Sequence, residues 1–139
     1  MNISSIMSTK LITLTIDSTL GDAKDIFEKH TIHHILILDD DKQLSGLITD
    51  RDLYKHLSPT IGTAKESHDD LAMLKKKVHQ IMTRDIVAAP TTLAIKDAIV
   101  WFDDNHISCL PVINEKQLVG IISWRDIVKV LAQVHRQNS

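Results

Sequence analysis

The sequence predicts an α/β (α+β) fold built from one β-α-β-β-α unit used twice, the two copies packed with pseudo-two-fold symmetry. Three observations predict it. Residues 3–57 and 78–131 run in step, with Ile6-Met7-Ser8 set against Ile81-Met82-Thr83 at an offset of 75. One extra residue in the Asp39-Asp40-Asp41 turn drops the offset to 74, after which Gly46, Arg51 and Asp52 match Gly120, Arg125 and Asp126. Each copy also places one apolar helical face ahead of two short β-type runs. Finally, a unit about 50 residues long rarely buries enough surface to stand alone, so the copies are expected to pack on each other. Residues 1–62 then form the first repeat, and residues 63–139 a lead-in helix with the second.

The elements follow in order. An apolar pair opens each copy as a strand, Leu11-Ile12 or Ile86-Val87, and runs into the turn-rich Asp17-Ser18-Thr19 or Pro90-Thr91-Thr92. Leu20, Ala23, Ile26 and Phe27 then share a helix face that Ile95, Ala98, Trp101 and Phe102 repeat. Thr19-Leu20-Gly21-Asp22 has the capping-box form that starts a helix. Ile35–Leu38 and Leu47–Thr49 read as strands, with Leu110–Ile113 and Val119–Ser123 as counterparts, each pair joined by an acidic turn with a glutamine. A last helix is expected to open at Asp52 and at Asp126. Between the copies, Pro59 and Gly62 mark a loop. Ser67-His68-Asp69-Asp70 marks a helix start, with Leu71, Leu74 and Val78 on one face; the Ile3–Ile6 segment takes that lead-in role in the first copy.

Composition excludes several classes. A net charge of −2 leaves no broad basic footprint for nucleic acid, and Lys75-Lys76-Lys77 suits the end of a helix. No apolar stretch approaches the roughly 18 residues a membrane span requires. The N-terminus lacks the pattern of a secretion signal. The single cysteine, Cys109, excludes an intrachain disulfide, so a cytoplasmic location is expected. His30, His33 and His34 cluster, but no ordered Cys/His ligand set accompanies them, and consecutive strand residues point to opposite faces. No metal site is expected. With no paired carboxylates, nucleophile elbow or designated base for Cys109, the chain is not expected to be an enzyme.

The clearest polar signal lies at two strand-to-helix junctions, Gly46-Leu47-Ile48-Thr49-Asp50-Arg51-Asp52 and Gly120-Ile121-Ile122-Ser123-Trp124-Arg125-Asp126. Each carries a hydroxyl, an arginine and an aspartate at a helix N-terminus. Ser/Thr-x-x-Asp is a sufficient helix cap by itself. The same groups also suit a nucleoside phosphate: the aspartate accepts from both ribose hydroxyls, while the arginine and helix N-terminus favour phosphate. Residue types and spacing alone leave both readings open.

These junctions, the opening Ile-Met-Ser/Thr of each copy and Cys109-Leu110-Pro111-Val112 together resemble cystathionine-β-synthase (CBS) domains, and the tandem pair resembles a Bateman module from about residue 3 to 132. The resemblance implies two clefts between the copies that hold adenosine-containing ligands such as AMP, ADP or ATP, with no catalytic cofactor. One cleft would use Ser123 and Asp126 on the ribose, with Thr13, Ile32 and His33 nearby. The other would use Thr49 and Asp52, with Ala88 and Ile107 in corresponding places and His33 and His34 near the phosphates, opposite Ser108 and Cys109 of the first. Arg51 and Arg125 accompany the two junctions. The first copy departs from the family pattern with Leu36 where the second has Pro111.

Two functions follow as alternatives. One is a sensor that binds an adenine nucleotide and signals to a separate, unidentified partner protein; the other is a ligand-free scaffold of the same fold. Ala98-Ile99-Val100-Trp101-Phe102 is apolar on every side, and a helix apolar all round must be buried all round. A homodimer through Ile99, Val100 and Trp101 is therefore expected.

Overall fold

Short apolar runs and tight turns give two three-stranded sheets, each with its middle strand buried on consecutive residues, parallel to one neighbour and antiparallel to the other. The computed structural model describes residues 1–138. The first sheet joins β1 (Thr13–Thr15), β2 (His34–Leu38) and β3 (Leu44–Thr49), and the second joins β4 (Ala89–Pro90), β5 (Cys109–Asn114) and β6 (Gln117–Ser123). The helices are α1 (Leu20–Lys29), α2 (Asp50–His56), α3 (His68–Leu74), α4 (Ile95–Asn105) and α5 (Trp124–Gln137). The predicted order, β-α-β-β-α, is present twice.

The expected boundaries differ in three places, each for a local reason. The opening strands begin at Thr13 and Ala89, because pairing starts only opposite Leu36 and Val112. The last helix of each copy begins at Asp50 and Trp124, two residues before the expected aspartates. Thr49 and Ser123 are the N-caps, which puts Asp52 and Asp126 at the third helical position. Helix α3 stops at Leu74, and Val78 is fully buried from a separate 3-10 turn, Val78–Gln80.

Pro111 explains why β4 is shorter than β1. In the first sheet Thr13 pairs with Leu36; the equivalent second-sheet pair would be Ala88 with Pro111, and the ladder begins instead at Ala89 and Val112. Pro111 has no N–H to give, so the parallel ladder loses its first rung.

The chain divides into two compact units, Ile12–Ile86 on one hand and Met1–Leu11 with the segment from Val87 onward on the other. The core of the first unit includes Leu20, Phe27, Ile35, Ile37, Ile48, Leu53, Val78 and Met82. That of the second includes Ile3, Ala98, Leu110, Val112, Ile122 and Ile127. The segment that opens each sequence repeat thus packs with the strands of the other repeat. In the first unit Thr83 exchanges two backbone hydrogen bonds with Leu47, of 2.8 and 3.0 Å; in the second Ser8 does the same with Ile121, at 2.9 and 3.0 Å.

The repeated methionine and the repeated glycine belong to this same arrangement. A Cβ at Gly46 would overlap the Met82 side chain, 2.7 Å from its Cγ, and one at Gly120 would overlap Met7, 2.8 Å from its Cγ. Each Met lies across a backbone that only glycine leaves open.

Candidate functional site

Each junction is positioned by a hairpin that ends where a helix begins. In the first unit β2 and β3 pair His34 with Thr49, and the Asp50 N–H donates to the His33 carbonyl at 3.1 Å. The second unit repeats this: Cys109 pairs with Ser123, and the Trp124 N–H donates to the Ser108 carbonyl at 3.1 Å. Strand entry and helix start are therefore fixed against each other by backbone. Within its own unit, His33, His34, Thr49, Arg51 and Asp52 come together, as do Ser108, Cys109, Ser123, Arg125 and Asp126. Thr13 lies on β1, Ala88 lies just before β4, and Ile32 and Ile107 pack half-buried against their units' cores.

The two junctions differ in how the aspartate is used. Ser123 Oγ accepts from the Asp126 N–H at 3.3 Å, and Asp126 Oδ2 accepts from the Ser123 N–H at 2.8 Å and from its hydroxyl at 3.1 Å. That is a reciprocal cap. In the first junction Thr49 Oγ1 accepts from the Asp52 N–H at 3.0 Å, and among the described residues the Asp52 carboxylate returns no bond to the Thr49 N–H. Both aspartates are half-buried, and Arg51 and Arg125 are exposed.

A third acidic group, absent from the sequence expectation, stands at the first junction. Asp50 Oδ2 lies 2.8 Å from His33 Nδ1, and Asp50 Oδ1 accepts from the Arg51 N–H at 2.8 Å. Burial pushes the Asp50 carboxyl up, but the His33 hydrogen bond, the Arg51 N–H and the charges of His33 and His34 together hold it below the usual carboxylate range. Burial, followed by the neighbouring His33, lowers the pKa of His34. The available signal was an acid directly after the N-cap, which suits the helix dipole; its counterpart, Trp124, breaks the repeat and hid it.

Cys109 sits in the core strand, 4% exposed, and burial pushes its thiol up to about 12. A thiol so buried supplies no thiolate at neutral pH. No group of three or more His, Cys, Asp or Glu residues among the described ones is placed to hold a metal, and no described helix is long and apolar enough to cross a membrane. On the helix expected to dimerise, Ile99 and Trp101 pack half-buried on their own unit's core, and Val100 alone of the three points mainly to solvent.

Two tandem α/β repeats, each ending in a hydroxyl–aspartate helix start, define the class to which this molecule is assigned. The chain belongs to the CBS domain family, whose profile matches residues 3–59 and 78–133. A CBS domain-containing protein of Dictyostelium discoideum is 30% identical over 132 residues, covering 93% of this chain and 90% of that one. Inosine-5′-monophosphate dehydrogenase of Methanocaldococcus jannaschii is 32% identical over 120 residues; the match covers 86% of this chain but spans only 21% of the dehydrogenase. Among solved structures, a putative acetoin utilization protein (AcuB) of Vibrio cholerae superposes with a TM-score of 0.79 at 25% identity, covering 100% of this chain and 97% of that one. The CBS domain pair of protein MJ0100, solved with 5′-methylthioadenosine and S-adenosyl-L-methionine, gives a TM-score of 0.77 at 27% identity and covers 96% of this chain and 97% of that one.

Proposed function

We propose that this chain is a regulatory module that binds an adenosine-containing ligand, works by binding rather than catalysis, and as a homodimer passes the signal to a separate partner protein. The observation that carries the reading is the twice-used junction. Each aspartate stands at a helix N-terminus beside a hydroxyl and an arginine, a set matched to ribose and phosphate. The adenosine-derived ligands bound by the MJ0100 domain pair support the same class of ligand here. Asp52 is the better-placed ribose acceptor, because its carboxylate is not spent on a reciprocal cap. The ligand acts on the partner only through unequal affinity for two states of the module.

The scaffold reading is favoured at the second junction alone, where the reciprocal Ser123–Asp126 cap accounts for both side chains without a ligand. Calorimetric titration with AMP, ADP, ATP, NAD and S-adenosylmethionine separates the two. The expected result is binding by at least one of them, weakened about 10- to 100-fold by Asp52→Ala or Asp126→Ala in a protein that keeps its fold. Failure of every adenine ligand to bind below millimolar concentration would establish the scaffold.

A further inference from the structure

The two junctions carry unlike groups at the first position of their helices. In the first unit that position is Asp50, whose side chain is 34% exposed; in the second it is Trp124, 61% exposed. The strand-entry residues differ with them, His33 and His34 standing against Ser108 and Cys109. The remaining charged groups match in pairs: Arg51 with Arg125, Asp52 with Asp126, and Lys55 with Lys129 one turn further on.

Asp50 holds the donors that an anion would use. A phosphate at a helix start binds the first free backbone N–H groups and a neighbouring donor side chain. Here Asp50 Oδ1 accepts from the Arg51 N–H at 2.8 Å, and Asp50 Oδ2 lies 2.8 Å from His33 Nδ1. Thr49 Oγ1 takes the Asp52 N–H at 3.0 Å. The Asp50 carboxylate is thus a tethered anion, and its pKa below the ordinary 3.8 keeps it charged at neutral pH. Asp52 returns no bond to its cap and stays available to ribose hydroxyls. Trp124 repeats none of this, because an indole donates and does not accept. The first junction sets two carboxylates against one guanidinium; the second sets one against one.

We propose that Asp50 makes the first junction selective for an adenosine ligand whose 5′ substituent is uncharged or cationic, while the second junction keeps its capacity for phosphate. The inference rests on the adenosine part of the functional reading and adds to it the ligand charge that each junction takes. A phosphate at the first junction must displace a carboxylate from the Arg51 N–H and from His33, and then lies within several Å of it. At the dielectric of a protein surface, that repulsion lowers affinity at least about tenfold. An uncharged substituent meets neither cost. A sulfonium or ammonium group is attracted by the same carboxylate.

Calorimetric titration at pH 8, where an ordinary imidazole is uncharged, keeps the histidines out of the comparison. In an Asp126→Ala background, which weakens the second junction, adenosine and S-adenosylmethionine are expected to bind at least about tenfold more tightly than AMP. Adding Asp50→Asn keeps an acceptor for the Arg51 N–H and removes the charge. It should raise AMP affinity about tenfold and leave adenosine within about twofold. Asp50→Asn alone, with the second junction intact, gives an independent reading: at a fixed concentration more AMP should bind per chain, but no more adenosine. In an Asp52→Ala background, Trp124→Asp should bring the same penalty on AMP to the second junction. Circular dichroism checks that each variant is folded. AMP bound as tightly as adenosine in the Asp126→Ala protein, or both ligands strengthened alike by Asp50→Asn, would overturn the proposal and leave the adenosine reading standing. Failure of the wild type to bind any of the three compounds would overturn both.

Discussion

A half-buried imidazole resists taking up a proton, and at His34 that sets a pH dependence. Its pKa lies below the ordinary 6.5 because burial, and then His33, disfavour the charged form, with Asp50 and Asp52 opposing more weakly. Below pH 6.5 the unfolded chain binds a proton that the folded one resists, so stability is full above that pH and falls as pH drops beneath it. Asp50 and Asp70 add a second loss at lower pH. Asp70 is lowered by the Thr60 hydroxyl and the Ser67 N–H, and Asp50 by the net effect of His33 and the Arg51 N–H. Their contribution is present above the ordinary 3.8 and is lost as pH falls through their depressed values. Urea midpoints should therefore decline in two stages on acidification. His34→Gln should flatten the first stage and leave the second; a first stage unchanged in that variant would place its origin elsewhere. The sequence identified His33 and His34 as residues of interest but not their partner. Asp50 is contributed by a helix start, and only the hairpin register brings it 2.8 Å from His33.

At the scale of elements, the capping boxes were legible because their signal is local. Thr19 and Asp22 cap α1 reciprocally at 3.1 and 2.9 Å, and Ser67 with Asp70 does the same for α3. The asymmetry between the two junctions was not legible, since Thr49-x-x-Asp52 and Ser123-x-x-Asp126 have the same spacing. It predicts a difference in stability. Asp126→Ala removes an acceptor shared by the Ser123 N–H and hydroxyl and should cost about 1 kcal/mol, whereas Asp52→Ala should cost less. Chemical denaturation of the two variants without ligand measures this, and equal losses would deny the asymmetry. The β5–β6 hairpin offers a gain instead. Glu115 and Lys116 occupy its two-residue turn at φ of 50° and 71°, a left-handed geometry that suits glycine better. Lys116→Gly should raise the denaturation midpoint by an amount equivalent to about 0.5–1 kcal/mol. An unchanged or lower midpoint would mean the turn holds no such strain.

For the whole molecule, the repeat in the sequence and the compact units in space divide the chain differently. Periodicity shows which residues resemble each other, and contact shows which residues need each other; a duplicated sequence reports only the first. The repeat sets Met7 against Met82 and Gly46 against Gly120, whereas the contacts join Met7 with Gly120 and Met82 with Gly46. Their pairing crosses from the start of one repeat to the hairpin of the other, which no spacing rule encodes. The consequence is testable with fragments. Residues 12–86 hold the buried cluster of one unit entire, including Val78 and Met82. Residues 1–62 follow the sequence repeat and lack both, together with Met73 and Ile81, which pack against that cluster. Losing two buried apolar side chains of this size costs several kcal/mol, comparable to the entire stability of so short a chain. Urea titration followed by circular dichroism should therefore give a cooperative transition for 12–86 and a shallow, featureless one for 1–62. Met82→Ala in the longer fragment should lower its midpoint. If 1–62 unfolded as cooperatively as 12–86, the repeat itself would be the folding unit, and the opening segments would be additions to it.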